Sequence, residues 1–345
     1  MTGDGPLRTA VVGVGRLGSF HARVHAELPE ADLRYVVDVD ADRAGRAAGE
    51  HGGRPATDHR EIIDEVDAVS IATPTSCHHE IARAFLEAGV SVLVEKPMTV
   101  TVGEADELIA IAADRGATLQ VGHIERFNPA YRAIRDVLHQ PAFIECHRLS
   151  PYPFRSTDVS VVLDLMIHDL DLILDVAGVE PDSVEGAGIP ILSQGTDIAN
   201  ARLRFRTPTG RPGCIANVTA SRVSPRSMRR LRVFQPDAYI SMDFLVRKVH
   251  IFRRRDDVDL SAAPEEELAA LAAMPPEAAF GRLLKVRSLD LSDTDALRDE
   301  VRAFLRAVLD GSEPPVTGEH GRRALALAVE IDRDIQRFVR ARTES

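Results

Sequence analysis

Cationic residues are in deficit along this chain: 42 lysines and arginines stand against 53 acids, a formal net charge of -11. A general binder of nucleic acid or of an anionic membrane needs the opposite balance, so neither partner is expected. An anionic substrate would require a local basic pocket. Cysteine is also scarce. Cys77, Cys146 and Cys214 are odd in number and widely spaced, which leaves no disulfide framework and no C-x-x-C metal pattern. They read as small buried apolar groups. No apolar run approaches a membrane span, and Met1–Thr9 lacks the apolar core of a signal peptide, so the cytoplasm is the expected compartment. No internal repeat is present. What remains is ordinary for a globular chain, 44% hydrophobic and 28% charged, and 345 residues suffice for two domains with real cores.

The strongest local signal is Gly13-Val14-Gly15-Arg16-Leu17-Gly18. A G-x-G-x-x-G run means little without context. Here Ala10-Val11-Val12 precedes it as a short buried strand, and Leu17, Phe20, Val24 and Leu28 follow at helical spacing before Pro29. The glycines therefore fall at a strand-to-helix turn. Gly13 permits the tight turn, Gly15 lets a pyrophosphate approach the backbone, and Gly18 lets the helix pack on the sheet. A second strand, Leu33 to Val37, ends in Asp38, about twenty residues beyond the motif, where a ribose-binding carboxylate is expected. No cation directly follows Asp38, so NAD is expected over NADP, although Arg43 could swing toward a 2′-phosphate. His21 and His25, one helical turn apart, read as a solvent-facing pair rather than a metal site.

Strands and helices alternate to about residue 123: Ala68–Thr73, His78–Ala88, Ser91–Val94, a capping box at Thr101 and Glu104 opening a helix to about Gly116, and Thr118–Val121. This predicts an α/β fold with an N-terminal doubly wound parallel sheet over 1–123. Asn128-Pro129 caps a predicted helix to about His139, Ala142–Leu149 reads as a strand, and 161–177 as a helix. Extended runs then dominate 183–253, among them Ala199–Arg206, Ile215–Arg222, Leu231–Phe234 and Ile240–Phe244. They predict a large open, mostly antiparallel sheet in an α+β domain over 124–345. Residues 256–281 read as an irregular or partly helical excursion, and helices close the chain over 293–310 and 319–341.

Ligands of a doubly wound sheet bind beyond the carboxyl ends of its strands. Thr73-Pro74 with His78, Glu95-Lys96-Pro97, and Gly122 to Asn128 belong there. A lysine at a strand end could hydrogen-bond a reacting oxygen, or could be a surface cation paired with Glu95. Asp164 and His168 are an i,i+4 pair, and a histidine is a natural base for a hydroxyl proton. Yet Asp164, His168, Asp171 and Asp175 also form one polar stripe, and spacing alone favours a solvated helix face.

Taken together, Gly13 to Gly18, Ala72-Thr73-Pro74 with His78, Val94-Glu95-Lys96-Pro97, Gly122 to Pro129, Leu163 to Asp171 and Phe304 to Gly318 resemble the glucose–fructose oxidoreductase/inositol dehydrogenase (Gfo/Idh/MocA) family over nearly the whole chain. The resemblance implies NAD(P)-dependent oxidation of a sugar or cyclitol hydroxyl, with Lys96, Asp164 and His168 as the catalytic set. It places Gly13, Gly15, Arg16, Leu17, Gly18, Asp38, Thr73, Pro74, His78, Glu95 and Lys96 at the cofactor. His123, Arg126, Asn128, Arg155, Asp171 and Arg222 are the substrate-side candidates, and His123 departs from the aromatic residue that many members carry. Stretches at 121–129, 151–155 and 234–241 are similar to the branch that oxidises the 3-hydroxyl of UDP-N-acetylglucosamine, whose product is later aminated for a diamino-sugar lipid A. Arg155 and Arg222 are then the candidate diphosphate ligands. Inositol or free-sugar dehydrogenation, and a non-catalytic sugar-binding regulator, are the alternatives. An open sheet needs a covered outer face, so a homodimer or homotetramer is expected.

Overall fold

The computed structural model describes residues 5–154, 159–206, 212–256, 258, 260, 263–291 and 294–343. Its contacts group into two compact units. One comprises Met1–Asn128, Leu170–Leu172 and Thr294–Glu330; the other comprises Pro129–Asp169, Ile173–Asp293 and Ile331–Ser345. The contiguous division read at 123/124 is thus crossed by two segments that return to the first unit.

The first unit runs β1 (Leu7–Val12), α1 (Arg16–Glu27), β2 (Ala31–Val37), α2 (Ala41–His51), β3 (Arg54–Ala56), β4 (Ala68–Ile71), α3 (Thr75–Glu87), β5 (Ser91–Glu95), α4 (Val102–Arg115) and β6 (Leu119–Gly122). All six strands are parallel in the order β3-β2-β1-β4-β5-β6. The order reverses between β1 and β4, and ligands of doubly wound sheets bind at such a crevice. β4, β5 and β6 are buried at every position, as strands covered on both faces must be. The Thr101/Glu104 capping box opens α4, and Gly116, at φ 63°, closes it.

In the second unit, α5 is a single turn, Pro129–Arg132, rather than a helix to His139. It is followed by β7 (Phe143–Leu149), a π-helical turn at Val162–Met166, α6 (Ile167–Ala177), β8 (Ser183–Ile189), β9 (Ile198–Arg206), β10 (Pro212–Ser221), β11 (Met228–Gln235), β12 (Ala238–Asp243) and β13 (Lys248–Arg254). The predicted excursion is two short helices, α7 (Glu265–Ala272) and α8 (Pro276–Leu283), then a strand not anticipated, β14 (Leu284–Asp290). The eight strands lie in the order β14-β13-β12-β11-β7-β10-β9-β8, and only β7 and β10 pair in parallel. Alternation along β7 buries Ile144, Cys146 and Arg148 and leaves Phe143, Glu145 and His147 half-buried on the other face. That second face carries a ladder of Phe143, Phe234, Tyr239 and Phe252, with Tyr239 stacked on both Phe234 and Phe252.

The chain closes with α9 (Ala296–Asp310) and α10 (Gly318–Thr343). α9 places Val301, Phe304 and Leu305 against Val24, Leu28, Ala68 and Leu93 of the first unit. Each such fully buried side chain contributes about 1.5–3 kcal/mol of burial free energy, which accounts for the return of this helix to the parallel sheet. Among the described residues, no helix is long and apolar enough to cross a membrane.

Candidate active site

The glycine turn connects β1 to α1. Gly13 has φ +84°, and a Cβ there would lie 2.7 Å from Thr73 Cγ2. Gly18 sits so close to Gly13 that a Cβ would fall 1.7 Å from its carbonyl oxygen. A Cβ on Gly15 would meet nothing within 4 Å, so this side of the loop faces open space. α1 begins with no capping side chain and no acid in its first turn. Its unbonded N–H groups and dipole therefore suit an anion. Arg16 and Leu17 are exposed at this end.

Asp38, at the carboxyl end of β2, is buried and accepts from the backbone N–H of Val14 at 3.0 Å and of Asp40 at 3.0 Å. Arg43 does not stand apart from it. Its Nη1 donates to both Asp38 oxygens, at 3.0 and 3.1 Å. After β4, Thr73 keeps a buried hydroxyl with no protein partner, and Pro74 is exposed. The glycine cradle, the uncapped helix, Asp38 and the orphaned Thr73 hydroxyl together fit a dinucleotide.

Two residues read as cofactor contacts face inward instead. His78 is buried, with Nδ1 2.9 Å from the Pro97 carbonyl and Nε2 2.9 Å from that of Thr73. It clamps the turn holding the cis Lys96-Pro97 bond to the β4 loop. A neutral ring can donate to only one of those carbonyls, and burial lowers its pKa although both hydrogen bonds act the other way. Glu95 turns its carboxylate toward α1, where His21 Nε2 lies 2.9 Å away. The predicted solvent-facing histidine pair is therefore corrected. Both rings are wholly buried, His21 on Glu95 and His25 on Ser70 Oγ at 2.8 Å. Burial, with the nearby His21 charge, lowers the His25 pKa to about 3. Helical spacing could not distinguish these inward positions from outward ones. Among the described residues no His, Cys, Asp or Glu cluster could hold a metal ion. Cys77 is exposed, while Cys146 and Cys214 are buried as expected.

Lys96 follows β5 and is half-buried. His123 follows β6 and is buried, and neither ring nitrogen has a hydrogen-bond partner. Burial lowers its pKa most strongly, with Arg126 and Lys96 acting the same way against Asp171 and Glu95. Arg126 forms a buried bidentate pair with Asp171, Nε to Oδ2 at 2.6 Å and Nη2 to Oδ1 at 2.8 Å. Burial alone would raise the Asp171 pKa, but the His123 and Arg126 charges with the Arg126 hydrogen bonds hold it below the usual carboxylate range. Asn128 donates to Glu125 Oε2 at 3.0 Å.

The second unit holds Asp164 and His168, both half-buried. Asp164 lies in the π-helical turn, where the Ile167 N–H reaches back five residues to the Val162 carbonyl. Such wide turns are frequent at functional sites, and they bring side chains four residues apart more nearly onto one face. The polar stripe is not a solvated face. Asp171 pairs with Arg126, and Asp175 accepts from the Tyr131 hydroxyl. Sequence reading missed a second buried pair, Arg148 with Asp169, in which Nε and Nη2 each donate to a carboxylate oxygen at 2.8 Å. Arg148 read as an ordinary strand residue, and only the inward alternation of β7 could have exposed it.

Arg222 is corrected as a diphosphate ligand. Its side chain is wholly buried and donates to Asp197 Oδ1 at 2.8 Å, the Val159 carbonyl at 2.7 Å and Ser193 Oγ at 2.9 Å. Asp197 also accepts from the N–H groups of Ile191, Leu192 and Ser193. Burial would raise its pKa, but these bonds drive it far down. The arginine fastens a loop. Arg155, the other diphosphate candidate, lies outside the described residues.

A parallel doubly wound sheet with a dinucleotide cradle, in a chain that also forms an open, mostly antiparallel sheet, defines an NAD-binding Rossmann oxidoreductase acting on CH–OH groups. Residues 7–123 match the profile of the GFO_IDH_MocA oxidoreductase family with an NAD-binding Rossmann fold. The chain is 36% identical over 334 residues to UDP-N-acetylglucosamine 3-dehydrogenase of Acidithiobacillus ferrooxidans, covering 96% of this chain and 98% of that enzyme. A solved structure of the same enzyme superposes with a TM-score of 0.84 at 37% identity, covering 96% and 98% of the two chains. A scyllo-inositol 2-dehydrogenase (NAD(+)) of Bacillus subtilis is 32% identical over 236 residues, 64% of this chain and 68% of that enzyme. The chain belongs to the GFO_IDH_MocA oxidoreductase family.

Proposed function

We propose that this protein is an NAD-dependent dehydrogenase that oxidises the 3-hydroxyl of UDP-N-acetylglucosamine to the 3-oxo sugar. The observation that carries the reading is the full-length likeness to an enzyme of that name. When bound, the dinucleotide supplies the hydride acceptor. His168 takes the hydroxyl proton, Lys96 stabilises the developing oxyanion, and Asp164 orients and polarises its neighbours. The 3-oxo product carries a carbonyl open to amination, in keeping with a diamino-sugar lipid A. An assembly of two or four copies, with the half-exposed face of the open sheet covered by another copy, is part of the reading.

Substrate truncation tests it. Binding energy from the nucleotide would orient C3, so removing the nucleotide should lower turnover as well as affinity. UDP-N-acetylglucosamine should produce NADH readily, and free N-acetylglucosamine should be a far poorer substrate. Rapid oxidation of an inositol with none of any UDP-sugar would transfer the protein to the reading that the B. subtilis relative suggests.

The cofactor preference rests on Asp38. A buried carboxylate at the adenosine ribose accepts from a 2′-hydroxyl and repels a 2′-phosphate, and the Arg43 paired with it is 44% exposed, so solvent screens its charge more than that of the buried carboxylate. NAD should bind at least about tenfold more tightly than NADP, about 1.4 kcal/mol or more. Asp38→Ala should weaken NAD and narrow the gap in a fluorescence titration. Equal affinities in the unmutated protein would remove Asp38 from this role.

A further inference from the structure

Behind Lys96 lies a group of buried titratable side chains that the proposed chemistry does not use. Glu95 accepts from His21 Nε2 at 2.9 Å through Oε1, and from the Lys96 backbone N–H at 3.3 Å through Oε2. The site is built for a carboxylate. β6 runs beside β5 with Gly122 opposite Glu95, and a Cβ on Gly122 would lie 3.0 Å from the carboxylate carbon. Glu300, from α9, comes to the same region. It is wholly buried, and neither carboxyl oxygen has a hydrogen-bond partner among the described residues. Its backbone carbonyl accepts from Gln120 Nε2 at 3.1 Å, and Gln120 Oε1 is itself unpartnered. His25, also buried on α1, is held by Ser70 Oγ, and His123 and the Arg126–Asp171 pair follow β6 in the chain.

We propose that His21, Glu95 and Glu300 form a buried cluster behind Lys96 in which only one of the two carboxyl groups, Glu95, ionises and so positions the Lys96 ammonium. The inference rests on the role given to Lys96 above. Two adjacent carboxylates cannot both ionise in a buried site. Burial would raise the Glu95 pKa, but the His21 hydrogen bond and charge, with Lys96, hold it low. Glu300 has no such support, and burial with the Glu95 charge raises its pKa well above the ordinary value. Glu95 therefore carries the charge, and Glu300 keeps a proton. His21, Glu95 and Glu300 are positioning residues. Because the folded-state pKa of Glu300 lies above its unfolded value, its contribution to stability is fully present below the unfolded pKa. It is lost progressively as pH rises toward the folded value.

Three measurements test this, and none requires turnover. At neutral pH the infrared spectrum of the intact protein should contain the carbonyl band of a protonated carboxylic acid, absent from Glu300→Gln. The melting temperature of Glu300→Gln relative to the parent should rise with pH, by on the order of 5 °C between about pH 5 and about pH 8. The pH midpoint for acylation of Lys96, read by peptide mass spectrometry, should fall by about one unit or more in Glu95→Gln, because the opposite charge is gone. A protonated-acid band that persists in Glu300→Gln, a melting difference that does not change with pH, or an unmoved Lys96 midpoint in folded Glu95→Gln would each overturn the cluster. A protein that passes these tests but oxidises no sugar nucleotide would instead contradict the proposed function.

Discussion

Lys96→Met and His168→Asn should each lower turnover by roughly 10²-fold or more and leave NAD binding close to that of the parent. The argument is one of timing. A group that meets charge only as the hydroxyl proton departs acts in the transition state and adds little to ground-state affinity. Neither substitution should unfold the protein, since both side chains are only half-buried. The double variant should lose less than the product of the two single losses, because groups that act as a unit are not additive. Stopped-flow NADH formation with saturating sugar nucleotide, beside a fluorescence titration of NAD, separates the two effects. Near-normal turnover in His168→Asn would remove this histidine from the catalytic set.

Arg126→Ala should be the most destabilising of the substitutions considered. It removes both hydrogen bonds to the Asp171 carboxylate and strands that buried group. Breaking a buried pair from one side costs about 3–5 kcal/mol, most of it from the uncompensated charge. The paired replacement Arg126→Leu with Asp171→Leu should recover much of that loss, because it leaves neither charge behind. Denaturant unfolding measures both variants. If Arg126 instead grips substrate, Arg126→Ala would unfold at nearly the parent's denaturant midpoint and raise the Michaelis constant for the sugar nucleotide. A recovery in the double variant with activity still absent would show that the pair serves stability and the site together.

Much of the first unit was written in local patterns. The apolar run Ala10-Val11-Val12, the glycines after it, the helical spacing to Leu28 and the Thr101/Glu104 box are neighbour-to-neighbour signals, and each formed the element it implied. The alternating strands and helices similarly dictated a parallel sheet, whose topology puts Gly13, Asp38, Thr73, Lys96 and His123 after successive carboxyl ends. The short strands β3 and β14 were missed because three residues, or a charged edge such as Lys285-Val286-Arg287-Ser288, carry too little periodicity.

Side-chain partners were decided by tertiary structure alone. His21, Arg126, Asp171 and Arg222 are polar residues whose local sequence looks solvated, yet each is buried because a complementary group arrives from a distant element. Arg222 and Asp197 are 25 positions apart, and Glu95 and Glu300 more than two hundred. Periodicity reports whether a position repeats on a face; it carries no information about the charge that packs against that face. The chain's order of residues thus determined the dinucleotide cradle and the class of fold, through short-range sterics and hydrophobic period. Which charged groups remain available to a ligand, and which are consumed in holding the protein together, was decided by long-range desolvation, because a buried charge persists only where folding brings it a partner.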